Sequence, residues 1–436
     1  MDWQLAFLLL VGCLILLMVT GIPICVTFML VNVIGALIFM GGSIGLEQLI
    51  ISLDTALTTF VLIPLSLFIL MGEVMFHSGI APRMIDTLDK WVGRLPGRLG
   101  VMAVFAGTLF ATLTGSSSGS VAMMGSVLTP EMEKRGYKKP MSLGPIIGSG
   151  GLAVMIPPSG LPILIGALGE ISIGAILMGI IIPGLLMATL YMSYIILRCW
   201  LQPSIAPAYE VISPPLLNKV VATARYILPI GFIIFMVTGL ILLGVATPTE
   251  AAATGAMGTF ILAAIYGRMK WQVMKKAVMS TVNIAVMIFM IIVGAIAFGH
   301  NLGFAGVSRG LIEFAIGLPV APIVILITML LMVVVMGMFM DAASIIMISV
   351  PLFMPVVHSL GFNTVWLAVL LLICIETGVT TPPFGTSLFV MKGVAPAGTK
   401  MGDIIRSGLP FLGCDLTAIA LIILFPVIAL WLPGIL

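Results

Sequence analysis

Long apolar runs separated by short polar interruptions occupy nearly the whole chain. A run of about 20 apolar residues is long enough to cross a bilayer as a helix. In the first half, the pattern predicts spans at 4–20, 24–41, 57–77 and 175–197 and an amphipathic stretch at 80–94. It also predicts two interrupted segments, at 99–133 and around Pro157-Pro158. In the second half, it predicts the same series at 226–244, 248–266, 278–299, 303–317, 320–357, 363–396 and 408–432. The pattern leaves open whether 4–41 is two spans or one kinked helix.

The composition indicates that the solvent for most of this chain is lipid. Of the 436 residues, 61% are hydrophobic and only 8% are charged, whereas soluble proteins carry about 25% charged residues. Such a chain cannot build a surface that faces water on all sides. The predicted fold class is therefore an all-α integral membrane protein, with room for about ten or more spans.

The two halves of the chain match each other at an offset of 225 residues. Four pairs of prolines keep this spacing: Pro23 with Pro248, Pro130 with Pro355, Pro157 with Pro382, and Pro158 with Pro383. The predicted number of full crossings in each half is odd, so the second copy would enter the membrane inverted. The predicted domains are a first inverted repeat at 1–199, a cytoplasmic linker at 200–225, and a second inverted repeat at 226–436. Each repeat would hold scaffold helices, a re-entrant hairpin (99–133 or 320–357) and a helix broken at its double proline.

Basic residues alternate with loops that contain acidic residues or no charge. Of the 19 Lys and Arg residues, all but Arg309 lie in five groups, at 83–98, 134–139, 198–225, 268–276 and 392–406. This alternation is the positive-inside pattern of a protein with several spans. It predicts that both termini lie on the outer, periplasmic side.

The interruptions in the apolar runs point to transport. Irregular backbone at membrane depth is tolerated only against protein or a water-filled cavity. Inverted repeats with paired broken helices place substrate and ion sites between the halves, near the middle of the bilayer. The predicted tip of the first hairpin, TGSSSGS at 114–120, offers the hydroxyl and carbonyl oxygens that hard cations prefer.

Asp341 is the sharpest single candidate, because it is the only charged residue between Val320 and His358. A carboxylate in the membrane is a functional hypothesis by default. With Ser344 and either Thr380 or Thr381 it could bind sodium, and it could also cap a half-helix. Glu376 stays open between a functional role and a hydrogen bond to a neighbouring helix, whereas Thr247-Pro248-Thr249-Glu250 predicts a capping box.

Enzyme motifs in the chain have no supporting context. Ser117 is the centre of a G-x-S-x-G pattern, but no strand precedes it and the histidines are only three. A hydrolase that uses Ser117 remains the weakest of three hypotheses. The segment from Gly393 to Lys400 does not match a nucleotide-binding loop. We therefore expect no enzyme and no organic cofactor, with transport driven by a gradient or by another subunit.

Four motifs together resemble one transporter family over essentially the whole chain. They are GSSSGSVAMMGSVLTPEMEKRGY (115–137), MIPPSG (155–160), GVATPTEAAA (244–253) and TTPPFGTSLFV (380–390). In order and spacing they resemble the large membrane subunit of TRAP (tripartite ATP-independent periplasmic) transporters, the DctM-type permease. The resemblance implies a sodium-driven elevator in the bacterial inner membrane that takes up carboxylates such as C4-dicarboxylates, sialic acid or other sugar acids. It also implies two partners, a periplasmic substrate-binding protein and a small four-helix membrane subunit. The small subunit is expected to be a separate chain, because the first repeat begins at the N-terminus.

The same resemblance implies particular site residues. The first sodium site would be formed by Thr114, Ser116, Ser118, Ile156 and Pro158. The second would be formed by Asp341, Ser344, Thr381 and Gly385. The substrate would lie between them, near Ser117, Ser159 and Ala343.

The alternative function is an ion-coupled carboxylate transporter that works alone, without a binding protein.

Overall fold

The computed structural model describes residues 2–58, 63–79, 84, 87–88, 91, 95–114, 117–207 and 215–435, without the side chains of 109–114. This part of the chain is helical and contains no strand, so the all-α prediction is confirmed for it. The helices of the first half are α1 Trp3–Val19, α2 Ile24–Phe39, α3 Ser43–Leu57, α4 Ile63–His77, α5 Arg98–Thr114, α6 Ser117–Lys134, α7 Lys139–Met155, α8 Gly160–Leu168, α9 Ile173–Gly179 and α10 Ile181–Leu201.

The remaining helices belong to the second half. Its helices are α11 Leu216–Tyr226, α12 Leu228–Leu242, α13 Pro248–Ile265, α14 Trp271–Phe304, α15 Val307–Gly317, α16 Pro322–Gly337, α17 Ala342–Ser359, α18 Thr364–Thr380, α19 Thr386–Val394, α20 Met401–Leu424 and α21 Val427–Leu430. Helices α6 and α17 begin and end 225 residues apart, and so do α7 and α18. The spacing found between the prolines is thus also a spacing between helices.

Several helices are long and apolar enough to cross a membrane. Four helical stretches in the described chain satisfy this singly: 173–201, 271–304, 342–359 and 401–424. Two bent pairs are long enough when taken together, α7 with α8 at 46° and α11 with α12 at 43°. The remaining apolar helices are shorter, at 10–17 residues. The total of about ten spans stays a prediction.

Some predicted element boundaries need correction. Residues 4–41 form two helices, α1 and α2, rather than one kinked helix. Helix α3 was not predicted, because Glu47 and Asp54 make that segment resemble a polar loop, yet it packs against α2 and α14. The span predicted at 278–299 extends over the 34 residues of α14. Most of the amphipathic stretch predicted at 80–94 lies outside the described residues.

Helices α7 and α18 form the centre of the packed structure. Every residue from Met141 to Met155 is buried, and so is every residue from Trp366 to Val379. Glycines in α7 allow this burial, since a Cβ on Gly144 would lie 2.5 Å from the Ser407 carbonyl oxygen and one on Gly148 would lie 2.5 Å from the Phe411 ring. Small residues at such crossings let helices in membranes approach closely. The two helices that carry the double prolines are therefore held by protein on all sides.

A buried pair of asparagines joins α2 to α14. The Asn32 side-chain amide donates to the Gly294 carbonyl at 2.7 Å, and the Asn301 amide donates to Asn32 Oδ1 at 3.1 Å. Both side chains are fully buried. Because lipid offers no competing hydrogen bonds, such polar contacts help to hold helices together in membranes.

Replacing Asn32 with alanine should destabilise this contact. The variant loses the donor to Gly294 and the side-chain acceptor for Asn301, and such interhelical contacts contribute about 1–2 kcal/mol. We expect a lower thermal unfolding midpoint for the purified protein in detergent. Thr417→Ala is the control, because that exposed hydroxyl bonds only to a carbonyl of its own helix. Equal midpoints for the two variants would contradict the assigned role of Asn32.

Candidate transport site at the two helix breaks

The first helix break separates α7 from α8. Residues Ile156 to Ser159 join the two helices, and the peptide bond between Pro157 and Pro158 is cis. Ser159 occupies the N-cap of α8, is fully buried, and has a hydroxyl without a hydrogen-bond partner. A buried hydroxyl left in this condition costs free energy, so the position favours a bound polar group.

The second break separates α18 from α19 at the equivalent place. The Pro382-Pro383 bond is also cis, and the Thr381 hydroxyl donates to the Thr377 carbonyl at 2.6 Å. A Cβ on Gly385 would lie 2.6 Å from the Val379 carbonyl oxygen and 2.8 Å from that of Thr381. Only glycine tolerates this approach, which gathers backbone oxygens of the kind that coordinate hard cations.

Asp341 lies at the tip between α16 and α17 and caps α17. Its Oδ2 accepts hydrogen bonds from the Ala343 and Ser344 amides at 3.1 and 3.2 Å, and its Oδ1 accepts one from the Ser344 hydroxyl. The predicted pairing of Asp341 with Ser344 is therefore present. No direct hydrogen bond joins Asp341 to Thr381 or Gly385 in the described structure. The carboxylate thus performs the capping role.

A large cavity of about 1030 Å³ opens beside this tip. Side chains from α1, α15, α16 and α17 line it, and Asp341 is the only charged residue among the described lining residues. The Asp341 side chain is exposed. The carboxylate of Asp341 is therefore not covered by packed side chains, although the rest of the cavity lining is almost entirely apolar.

The first hairpin tip is described only from α6 onward. Ser116 and the side chain of Thr114 lie outside the described residues, so their predicted roles stay predictions. Ser117 begins α6, and its hydroxyl donates its one hydrogen to the Glu376 carboxylate, with 2.7 Å from Oγ to each of the two oxygens. The sequence left the role of Glu376 open. In the structure, its carboxylate is hydrogen-bonded to the first residue of α6. Ser118 follows and is half-buried.

The second hairpin meets α18 through glycine. A Cβ on Gly378 would lie 2.7 Å from the Gly337 Cα atom and 2.8 Å from the Val334 carbonyl oxygen. Backbone therefore touches backbone where α16 crosses α18. Glu376 lies two residues before this crossing, so the last turns of α18 contact both hairpins.

Two features of the buried interior were missed by sequence reasoning. The first is the proximity of Gly151 and Glu376, since a Cβ on Gly151 would lie 3.6 Å from Glu376 Oε2. These residues are 225 apart, so the repeat spacing could have predicted that they occupy equivalent positions. Asp415, which is 4% exposed, accepts a hydrogen bond from the Tyr191 hydroxyl. A signal was available for Asp415 as well, since it is a carboxylate within the apolar run predicted at 408–432.

A model of the DctM component of tripartite ATP-independent periplasmic transporters matches residues 11–428. The chain belongs to this family. The family expectation drawn from the four motifs is thereby confirmed. The fold and the family together make the chain a multi-pass transporter permease of the TRAP type.

Relatives from several bacteria support this assignment. The chain is 31% identical over 393 residues to the C4-dicarboxylate TRAP transporter large permease protein DctM of Pseudomonas aeruginosa, covering 89% of this chain and 90% of that protein. It is 29% identical over 429 residues to the ectoine permease TeaC of Halomonas elongata, covering 97% and 98%. It is also 28% identical over 422 residues to the isethionate permease protein DctMQ of Oleidesulfovibrio alaskensis, covering 96% of this chain and 65% of that longer protein. The substrates in these names differ, so membership in the family does not identify the substrate.

A solved structure supports the fold alone. The YdaH transporter of Alcanivorax borkumensis superposes with a TM-score of 0.64 at 15% identity, covering 91% of this chain and 90% of the other. The arrangement of helices is thus that of a known membrane transporter.

Adding a methyl group at Gly378 should disturb the crossing of α16 and α18. Overpacking of this kind costs about 1–3 kcal/mol, so we expect Gly378→Ala to lower the thermal unfolding midpoint in detergent. Gly413→Ala is the matched control, because a Cβ at that helical position meets no atom within 4 Å. A Gly378→Ala protein as stable as Gly413→Ala would show that the two backbones do not touch.

Proposed function

We propose that this chain is the large permease of a sodium-coupled uptake system in a bacterial inner membrane. It would move an organic acid that a periplasmic binding protein delivers, by an elevator motion, together with a small four-helix membrane subunit. The family match over residues 11–428 is the observation that carries this proposal. It supports a system of three proteins, namely the permease, the small membrane subunit and the binding protein. Contacts within this chain carry no information about the other two proteins.

Oxygen atoms at the tips and breaks support the sodium coupling. Asp341 offers a carboxylate beside the cavity, and Gly385 lies against two backbone carbonyls. Sodium is a hard cation, and such cations prefer oxygen ligands of these types. The proposed second site consists of Asp341, Ser344, Thr381 and Gly385. The proposed first site is Thr114, Ser116, Ser118, Ile156 and Pro158.

The two restarted half-helices support an anionic substrate. Helix α8 begins after Ser159 and helix α19 begins after Gly385, and a helix N-terminus favours negative charge. The hydroxyls of Ser159 and Ser387 are buried and lack partners. We place the carboxylate of the substrate near Ser159, Ser117 and Ala343. The relatives named for a C4-dicarboxylate and for isethionate are in keeping with an acidic substrate.

Uptake by the reconstituted system tests the proposal directly. The ligand of the binding protein is first identified by thermal shift against a panel of organic acids, and that acid is then radiolabelled. We expect vesicles containing the permease, small subunit and loaded binding protein to accumulate the acid under an inward sodium gradient. Vesicles in which choline replaces sodium should show background uptake.

The same assay separates the competing functions. Accumulation that ignores sodium would refute the sodium coupling. Uptake by the permease alone, without the binding protein or the small subunit, would instead identify a transporter that works by itself.

Substitution of Asp341 tests the second sodium site. Asp341→Ala should abolish coupled uptake while the protein remains in the membrane, because charge and cap are both lost. Asp341→Asn keeps an oxygen that caps α17, since Asn is as good an N-cap as Asp. It should nevertheless raise the sodium concentration for half-maximal uptake by about tenfold, which corresponds to about 1.4 kcal/mol.

Glu250→Gln is the matched control for Asp341→Asn. Glu250 also caps a helix, through the Thr247 amide at 2.8 Å, but it lies in an exposed turn. Its replacement should leave sodium dependence unchanged. Wild-type sodium dependence in Asp341→Asn would remove Asp341 from the site.

A further inference from the structure

Glu376 occupies the position where the two repeats meet. Helices α7 and α18 contact each other, and Gly151 of α7 faces the Glu376 side chain of α18. A Cβ on Gly151 would lie 3.6 Å from both Cβ and Oε2 of Glu376. These two residues are 225 apart, so equivalent positions of the repeat lie opposite one another. One repeat supplies a carboxylate there and the other leaves room for it.

The carboxylate reaches from the second repeat to the tip of the first hairpin. Ser117 donates its hydroxyl hydrogen to the Glu376 carboxylate, with 2.7 Å to either oxygen. The same end of α6 rests on α7, since the Ser117 carbonyl oxygen would lie 3.4 Å from a Cβ on Gly150. The start of α6 is therefore held by α7 through packing and by α18 through a hydrogen bond.

The carboxyl group of Glu376 has no basic partner in the described structure. Its side chain is 1% exposed, and none of the ion pairs between described residues includes it. A buried carboxylate without a counter-charge is costly, and a nearby cation removes that cost. The residues proposed for the first sodium site are all uncharged, whereas the second site contains Asp341.

We propose that Glu376 is the positioning residue of the first sodium site. Its carboxylate holds the start of α6 through Ser117, and its negative charge attracts the cation that the neutral ligands coordinate. This inference rests on the sodium coupling proposed above. It explains why the carboxylate is bound by a hydroxyl, which neutralises no charge, rather than by Lys or Arg.

Sodium-dependent hydrogen exchange of the full-length protein in nanodiscs tests the inference without substrate. Sodium replaces choline at constant ionic strength, and exchange is followed in segments 117–128 and 342–353. These segments are equivalent in the repeat and report on the first and second hairpin tips. In the wild type, we expect sodium to slow exchange in both.

Glu376→Gln keeps the size of the side chain and an oxygen acceptor but removes the charge. We expect the sodium concentration for half-maximal protection of 117–128 to rise about tenfold, equivalent to about 1.4 kcal/mol. Protection of 342–353 should keep its wild-type sodium dependence. Ser117→Ala should shift 117–128 in the same direction, and Ser117→Thr, which retains the hydroxyl, should restore the wild-type value.

The controls separate this role from general destabilisation. Cys374→Ala removes another buried side chain of α18 and should leave both segments unchanged. Thermal unfolding without sodium reports whether each variant is folded. Because the residues interact directly, Ser117→Ala and Glu376→Gln together should shift half-saturation by less than the product of their separate shifts.

Two contrary results have different meanings. If the wild type shows no sodium-dependent protection, the sodium coupling fails and this inference fails with it. If the wild type responds but Glu376→Gln keeps its half-saturation at 117–128 within about twofold, the coupling stands and the role of Glu376 is overturned. Multiplicative effects of the two substitutions would overturn the link through Ser117.

Discussion

The need to satisfy backbone polar groups inside a membrane governs this structure. A helix that stops at membrane depth exposes amides and carbonyls that lipid cannot pair. The chain breaks two helices, at Pro157-Pro158 and at Pro382-Pro383; the first double proline is buried, whereas Pro383 at the second break is exposed. The α17 half-helix begins on Asp341, which accepts hydrogen bonds from two amides. The surrounding helices therefore cover the first break, while the second break has an exposed side.

Close packing around those breaks depends on glycine. Gly144 and Gly148 admit α20 against α7, and Gly337 and Gly378 let α16 and α18 touch through their backbones. Rigid contacts of this kind move as units, because packed interfaces do not deform continuously. The helices that carry the breaks thus provide a firm support, while the starts of α6 and α17 are held by hydrogen bonds of Ser117 and Asp341. This division suits the proposed function, in which ion sites must form and release without loss of the fold.

Much of this arrangement could be predicted from the sequence because it rests on local signals. The capping box of Thr247 and Glu250 is confirmed by hydrogen bonds at 2.8 and 3.3 Å, and the two double prolines fall at the breaks. Helix α3 could not be predicted, since its Glu47 and Asp54 carry no sign of the helices packed beside them. The contacts of Glu376 with Ser117 and of Asp415 with Tyr191 join residues more than 200 positions apart. Pairings of that kind depend on how helices cross, which periodicity does not encode.

The chain's membrane carboxylates differ in what surrounds them, and the difference bears on their use. Asp341 faces a cavity, whereas Glu376 and Asp415 are buried and each accepts from a hydroxyl. A Lys or Arg partner would neutralise such a charge permanently, and breaking that pair would strongly destabilise the protein. A hydroxyl donor satisfies the oxygen atoms but supplies no positive charge. A cation bound at such a site would stabilise the conformation that forms it, which is what the proposed sodium coupling requires.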